Sequence, residues 1–154
     1  MYIKTNDNFK KILGKDYLNK IKNVESLFSS QLAKVTVKEI DECYFLAFVA
    51  PPSSGFIPVD QVGIECFENR IYIEDYIDRK LDKVSYLLQG GKFGLCLVEK
   101  LSKFYPHDSF KIIVSCAKSG RDTKVTFHKI RKGKIYLTRN LNDYKVNGLM
   151  VMYT

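Results

Sequence analysis

The chain has 154 residues, 45 % hydrophobic and 27 % charged, with 4 Pro, 9 Gly and no low-complexity stretch, which excludes an extended disordered or fibrous protein. No run of 18 apolar residues occurs, so the sequence offers no membrane-spanning helix. The net charge of +8 is lopsided: residues 1–77 carry 9 Lys+Arg against 11 Asp+Glu, and residues 78–154 carry 16 against 6, a positive field suited to an anionic partner.

The length predicts a single domain over residues 1–154. Met1 to Lys11 is polar and lacks the apolar core of a signal peptide. The first thirty residues read as helical. Asn6 or Asp7 can cap a short helix through Leu13, which Gly14 breaks. Asp16 can cap a second, in which Tyr17, Leu18, Ile21, Val24, Leu27 and Phe28 recur three and four apart.

From Val35 the period changes to two. Val35 and Val37 alternate with polar residues as on an edge strand, and Tyr44 to Val49 is a continuous apolar run, as on a strand buried on both faces. Pro51-Pro52-Ser53-Ser54-Gly55 reads as a loop. Val62, Ile64 and Cys66 alternate, Glu68-Asn69 reads as a turn, and Arg70 to Ile73 follow, which predicts a hairpin.

Ile77, Leu81, Val84, Leu87 and Leu88 fit a helix that Gly90-Gly91 should stop. Phe93, Leu97, Leu101 and Phe104 mark a second helix, ended by Pro106. The C-terminal third reads as a β-meander. Phe110, Ile112, Val114 and Cys116 share one strand face, and 118–122 is a loop. Val125 and Phe127 point inward from the next strand, and Arg131-Lys132-Gly133-Lys134 is a tight turn. Ile135 and Leu137 continue as strand, and Leu149 to Tyr153 is the last one. The predicted class is α+β, with N-terminal helices, an antiparallel sheet ending in a meander, and a central helical pair packed on one face.

The strongest candidate site is the stretch 118–139. Lys118, Arg121, Lys124, Lys129, Arg131, Lys132, Lys134 and Arg139 face one acid, Asp122, and with His128 they form a candidate partner-binding set for phosphates or carboxylates. The competing reading is a solvated hairpin whose lysines guard an edge strand. Phe127 and Tyr136 are its aromatic residues, and Phe127 faces the core in this reading, which leaves a poor stacking platform for bases.

Nothing else carries recognisable chemistry. Cys43, Cys66, Cys96 and Cys116 lie in apolar contexts without a CxxC pair, the pattern of buried thiols in a reducing compartment. His107 and His128 have no cysteine neighbours, and Glu65, Glu68, Glu74 and Asp75 read as a solvated edge. Gly90-Gly91-Lys92-Phe93-Gly94 lacks the P-loop spacing, and no Gly-x-Ser-x-Gly occurs. The expectation is a cytoplasmic, non-enzymatic protein with no catalytic residues, no metal site and no cofactor.

Phe104-Tyr105-Pro106, Phe110 to Val114, Val125 to Gly133, and Leu141-Asn142-Asp143-Tyr144 before an apolar terminal strand carry a resemblance. Over about a third of its length the chain resembles small bacterial immunity proteins of contact-dependent and polymorphic toxin systems. The resemblance implies a small cytosolic α+β protein without cofactors that binds a cognate toxin and occludes its active site. Because this chain is basic, the toxin would present an acidic surface, or the contact would run through Glu39, Asp41, Glu42, Glu65, Glu68, Glu74 and Asp75. The expected partner is that toxin or another acidic protein surface, with nucleic acid at the 118–139 hairpin as the alternative. No membrane partner is expected, and the oligomeric state stays open.

Overall fold

The computed structural model describes residues 1–49 and 60–154. The loop expected at 51–55 lies outside them. Within them the chain forms β1 (Tyr2–Thr5), α1 (Asp7–Leu13), α2 (Tyr17–Asn23), α3 (Ser30–Ala33), β2 (Val37–Ile40), β3 (Cys43–Leu46), α4 (Gln61–Glu68), β4 (Ile71–Tyr72), α5 (Lys83–Phe104), β5 (Phe110–Ala117), β6 (Lys124–Lys129) and β7 (Asn147–Tyr153). Short 3-10 turns lie at Ile73–Tyr76 and Leu141–Asp143. An antiparallel sheet runs β1-β7-β5-β6-β4, and β2 and β3 pair separately. The α+β class is as expected.

The inner sheet face follows the predicted alternation. Phe110, Ile112, Val114 and Cys116 of β5, Val125 and Phe127 of β6, and Met150 and Met152 of β7 are buried in one core with Phe9, Ile21, Phe93 and Leu97 of the helices. Each such large side chain, once removed from water, contributes roughly 1.5–3 kcal/mol. On the opposite face a smaller cluster gathers Val62 and Cys66 of α4 with Ile113, Leu141, Leu149 and Val151.

Four local expectations are corrected. First, the chain begins with a strand, not a helix: Tyr2 to Thr5 pair with Tyr153 to Met150. That partner lies at the other end of the sequence, where local periodicity cannot see it. The Asn6 cap does form, because its side chain accepts from Phe9 N at 3.0 Å and from Leu149 N at 2.9 Å, tying α1 to β7.

Second, Val62 to Cys66 is a helix. Val62, Glu65, Cys66 and Asn69 are its buried residues and C-cap. The spacing is helical, but two of the four are polar, so apolar periodicity alone misread it. Third, the central helices are one. Asp82 caps α5 by accepting from Ser85 N at 3.0 Å, and the helix runs unbroken through Gly90, Gly91 and Gly94. A Cβ on Gly90 would lie 2.5 Å from Thr123 Cγ2, one on Gly91 2.7 Å from Ile21 Cδ1, and one on Gly94 would collide with Met152 Cε. These glycines let the helix approach the sheet and α2 closely, so neither a helix stop nor a phosphate-binding loop exists there.

Fourth, the strand order departs from a simple meander. β7 joins β5 on the edge opposite β6, and 130–140 holds no strand, with Ile135 72 % exposed. The outer edge of β6 is already occupied: Ile71 and Tyr72 pair with Val125 and Lys124, and α4 side chains meet the rest.

Candidate functional site

That occupied edge contains a densely hydrogen-bonded polar joint. Glu65 and Asn69 lie four apart, so they project from the same side of α4. Glu65 is 0 % exposed, and its carboxylate accepts from Tyr44 N (2.9 Å), Lys129 N (2.9 Å) and both guanidinium nitrogens of Arg131 (2.6 and 2.9 Å). Asn69 accepts from Leu46 N at 2.8 Å and donates to Tyr44 O (2.8 Å) and Phe127 O (3.2 Å). Two side chains thus take the place of a strand, bridging β3 to β6. Arg131 also donates to Glu42 O at 2.6 Å, and its contacts with Glu65 hold it firmly protonated against the effect of burial. Glu65 is therefore not part of a solvated acidic edge, and Arg131 is a structural residue.

The other members of the 118–139 set do not form one patch. Lys118 and Arg121 are exposed in the β5–β6 loop, and Lys124 opens β6 with its ammonium 5.2 Å from the Tyr72 ring. Five residues further, roughly 17 Å along the strand, Lys129 pairs with Asp108 at 2.7 Å. Hydrogen bonds from Lys129 and Tyr44 keep the Asp108 carboxyl below its usual range. Lys132 and Lys134 are exposed on the 131–134 turn, and Arg139 lies near β1 and α1. His128 is corrected from surface to interior: it is 2 % exposed, its Nδ1 is 2.8 Å from Lys129 O, and burial depresses its pKa to about 4, so it is neutral at pH 7.

Four cations, Lys4, Arg70, Lys111 and Lys124, stand beside aromatic rings on the sheet face that carries α4. Sheet register places Tyr2, Tyr153, Lys111 and His128 in one row across four strands. Tyr2 is 57 % exposed, and its ring lies 5.6 Å from that of Tyr153. Lys4 sits 5.4 Å from the Tyr2 ring centre and Lys111 5.7 Å from that of Tyr153, with the Lys111 pKa lowered by partial burial. On α4 and just beyond it, Phe67 is 64 % exposed with the Arg70 guanidinium 4.9 Å from its ring. Four of the six cation–aromatic pairs among the described residues therefore lie on this side. Only two ion pairs form among the described residues, Lys129–Asp108 and Arg131–Glu65, so none of these four cations is neutralised by a carboxylate.

Sequence reading did not find Tyr2, Lys4, Arg70, Lys111 or Tyr153. For Lys111 the available signal was parity: it alternates with Phe110 and Ile112, which enter the core. The pairing of the two chain ends that unites them was not readable.

Fold and face define an α+β protein with one sheet face sealed by a long helix and the other half-covered, basic and aromatic. The chain belongs to the Uncharacterized protein PM0498 family, which it matches over residues 4–154. No curated protein and no solved structure matches it. Among the described residues no helix is long and apolar enough to cross a membrane, and no cluster of His, Cys, Asp and Glu is arranged to hold a metal ion.

Proposed function

We propose that this is a non-enzymatic binding protein that docks an acidic protein surface on the α4 side of its sheet. The observation that carries the reading is the pairing of three exposed aromatic rings and one half-buried one with unneutralised cations: Tyr2 with Lys4, Phe67 with Arg70, Tyr72 with Lys124, and the half-buried Tyr153 with Lys111. Aromatic residues and arginine are the side chains enriched at the centres of protein interfaces, and a positive rim raises the association rate with an acidic partner. The specific form of the reading is a toxin-neutralising immunity protein acting by steric occlusion, supported by the sequence resemblance; with a net charge of +8 its target would present an acidic surface.

The test is a tagged pull-down from the native host, with and without nuclease, comparing the natural protein with Arg70→Glu and Tyr153→Ala. The expected result is one acidic protein captured in near-equal amount, resistant to nuclease, displaced by salt and lost with both variants. Capture that vanishes on nuclease treatment would replace this reading with nucleic-acid binding. Undiminished capture by both variants would move the interface elsewhere.

A further inference from the structure

A second feature lies beside the docking face and shares only Lys4 with it. Residues Ile3, Lys4 and Thr5 of β1, Lys10 of α1, Tyr17 of α2 and the turn Arg139–Asn142 line an open cavity of about 360 Å³. Its charged lining consists of three cations, Lys4, Lys10 and Arg139, and no carboxylate. Among the described residues none of the three is in an ion pair.

The wall is held in place by its own hydrogen bonds. Asn140 accepts from Asn142 N at 3.2 Å and donates to Asp143 at 2.9 Å, and the Asn142 side-chain oxygen accepts from Asp7 N at 2.8 Å. That last bond commits the oxygen of Asn142 and leaves its amide NH2 to donate elsewhere. Tyr17 stands edge-on against Phe9, ring centres 5.8 Å apart at 87°, so one wall is a braced aromatic ring.

Three like charges around one concavity repel each other and raise its potential, and an anion relieves both. A planar guanidinium with two ammonium groups suits the several oxygens of a phosphate dianion better than a single carboxylate. The volume falls in the small-ligand range. We infer that this cavity binds a phosphate monoester of nucleotide size, with Lys4, Lys10 and Arg139 on the phosphate and Tyr17 against the remainder of the ligand. A free nucleotide and the 5′-phosphate end of a nucleic acid share that chemistry.

The experiment is calorimetric titration of the full chain with AMP at constant ionic strength, with adenosine as control and inorganic phosphate as competitor. Saturable AMP binding is expected, with adenosine at least tenfold weaker and phosphate competing. Lys10→Gln and Arg139→Gln should each weaken AMP at least fivefold while leaving the circular dichroism and melting temperature unchanged, since both residues are exposed. Equal binding of AMP and adenosine, or unchanged affinity in both variants, would overturn the inference. A 5′-phosphorylated oligonucleotide that outcompetes AMP and loses affinity in the same variants would assign the site to nucleic-acid ends. If it does not outcompete AMP, the site belongs to free nucleotides. Neither variant touches Arg70 or Tyr153, so failure here leaves the docking reading intact, and the reverse also holds.

Discussion

Glu65→Gln should destabilise the protein by about 3–5 kcal/mol, the cost of removing one partner from a buried ion pair. The structure explains the size. The carboxylate accepts four hydrogen bonds at 2.6–2.9 Å, two at each oxygen, in a position with no exposure. Gln keeps one carbonyl oxygen and puts an NH2 where the other oxygen was. One backbone N–H and one guanidinium N–H then face a donor, and each orphaned donor costs about 1–3 kcal/mol, more when charged. Such a loss is a large part of a typical stability of about 5–15 kcal/mol. At roughly 2–4 °C per kcal/mol for a chain of this size, the melting temperature should fall by about 6–20 °C, with an unchanged urea m-value. The companion variant Glu65→Leu with Arg131→Met removes both charges. Were the ion pair all that mattered, stability would return. Here Tyr44 N and Lys129 N stay buried without acceptors, so the double variant should remain about 2–4 kcal/mol below the natural protein. Urea unfolding followed by circular dichroism reads both. A Glu65→Gln loss under about 1 kcal/mol, or a double variant at natural stability, would refute the strand-substitute role.

His128 predicts a pH dependence. Burial, reinforced by Lys111 and Arg131, lowers its pKa from 6.5 to about 4, while the Lys129 carbonyl and Asp60 act the other way. The unfolded chain takes up the proton below about pH 6.5 and the folded one only near pH 4, so the stabilisation is complete above pH 6.5 and lost as pH falls to 4. Its size is about 3 kcal/mol. Asp108 and Asp82, whose pKa values are lowered from 3.8, act below that window. Urea midpoints from pH 7 to 4.5 should therefore slope in the natural protein and flatten in His128→Gln; equal slopes would discount His128. Gly91→Ala gains about 1 kcal/mol of helix propensity but drives a methyl to 2.7–3.1 Å from three atoms of Ile21, so a net loss of about 1 kcal/mol is expected. Ile21→Val should recover part of it in a calorimetric melt. Finally, Cys96 is half-buried while Cys43, Cys66 and Cys116 are buried, with burial pushing the thiols of Cys66 and Cys116 up to about 12 and about 11. Native-state alkylation at pH 8, mapped by mass spectrometry, should mark Cys96 first.

The contrast between α1 and α4 shows how far local reading reaches. α1 was legible because its cap, its apolar spacing and the glycine that ends it all lie within nine residues. α4 was not, because Glu65 and Asn69 supply half of its buried face. Their burial makes sense only once β3 and β6 present unpaired backbone groups from 21 and 64 residues away. The same holds for the basic stretch. Its charge was plain in the sequence, but whether a given cation is free or held depended on Asp108 and Glu65 coming within reach.

Composition and period by themselves determined the α+β class, the inner faces of β5 and β6, the burial of three of the four thiols, Cys96 being the exception, and the positive field. Each of these follows from residue type or from neighbours a few positions apart. Tertiary structure alone decided that α5 continues through its glycines, since their merit is the closeness of Ile21, Thr123 and Met152. It alone also joined Tyr2 to Tyr153 and placed Lys4, Lys10 and Arg139 around one cavity. The physical reason is the same in each case: these are contacts between residues far apart in the chain, and no local preference encodes which distant groups folding will bring together.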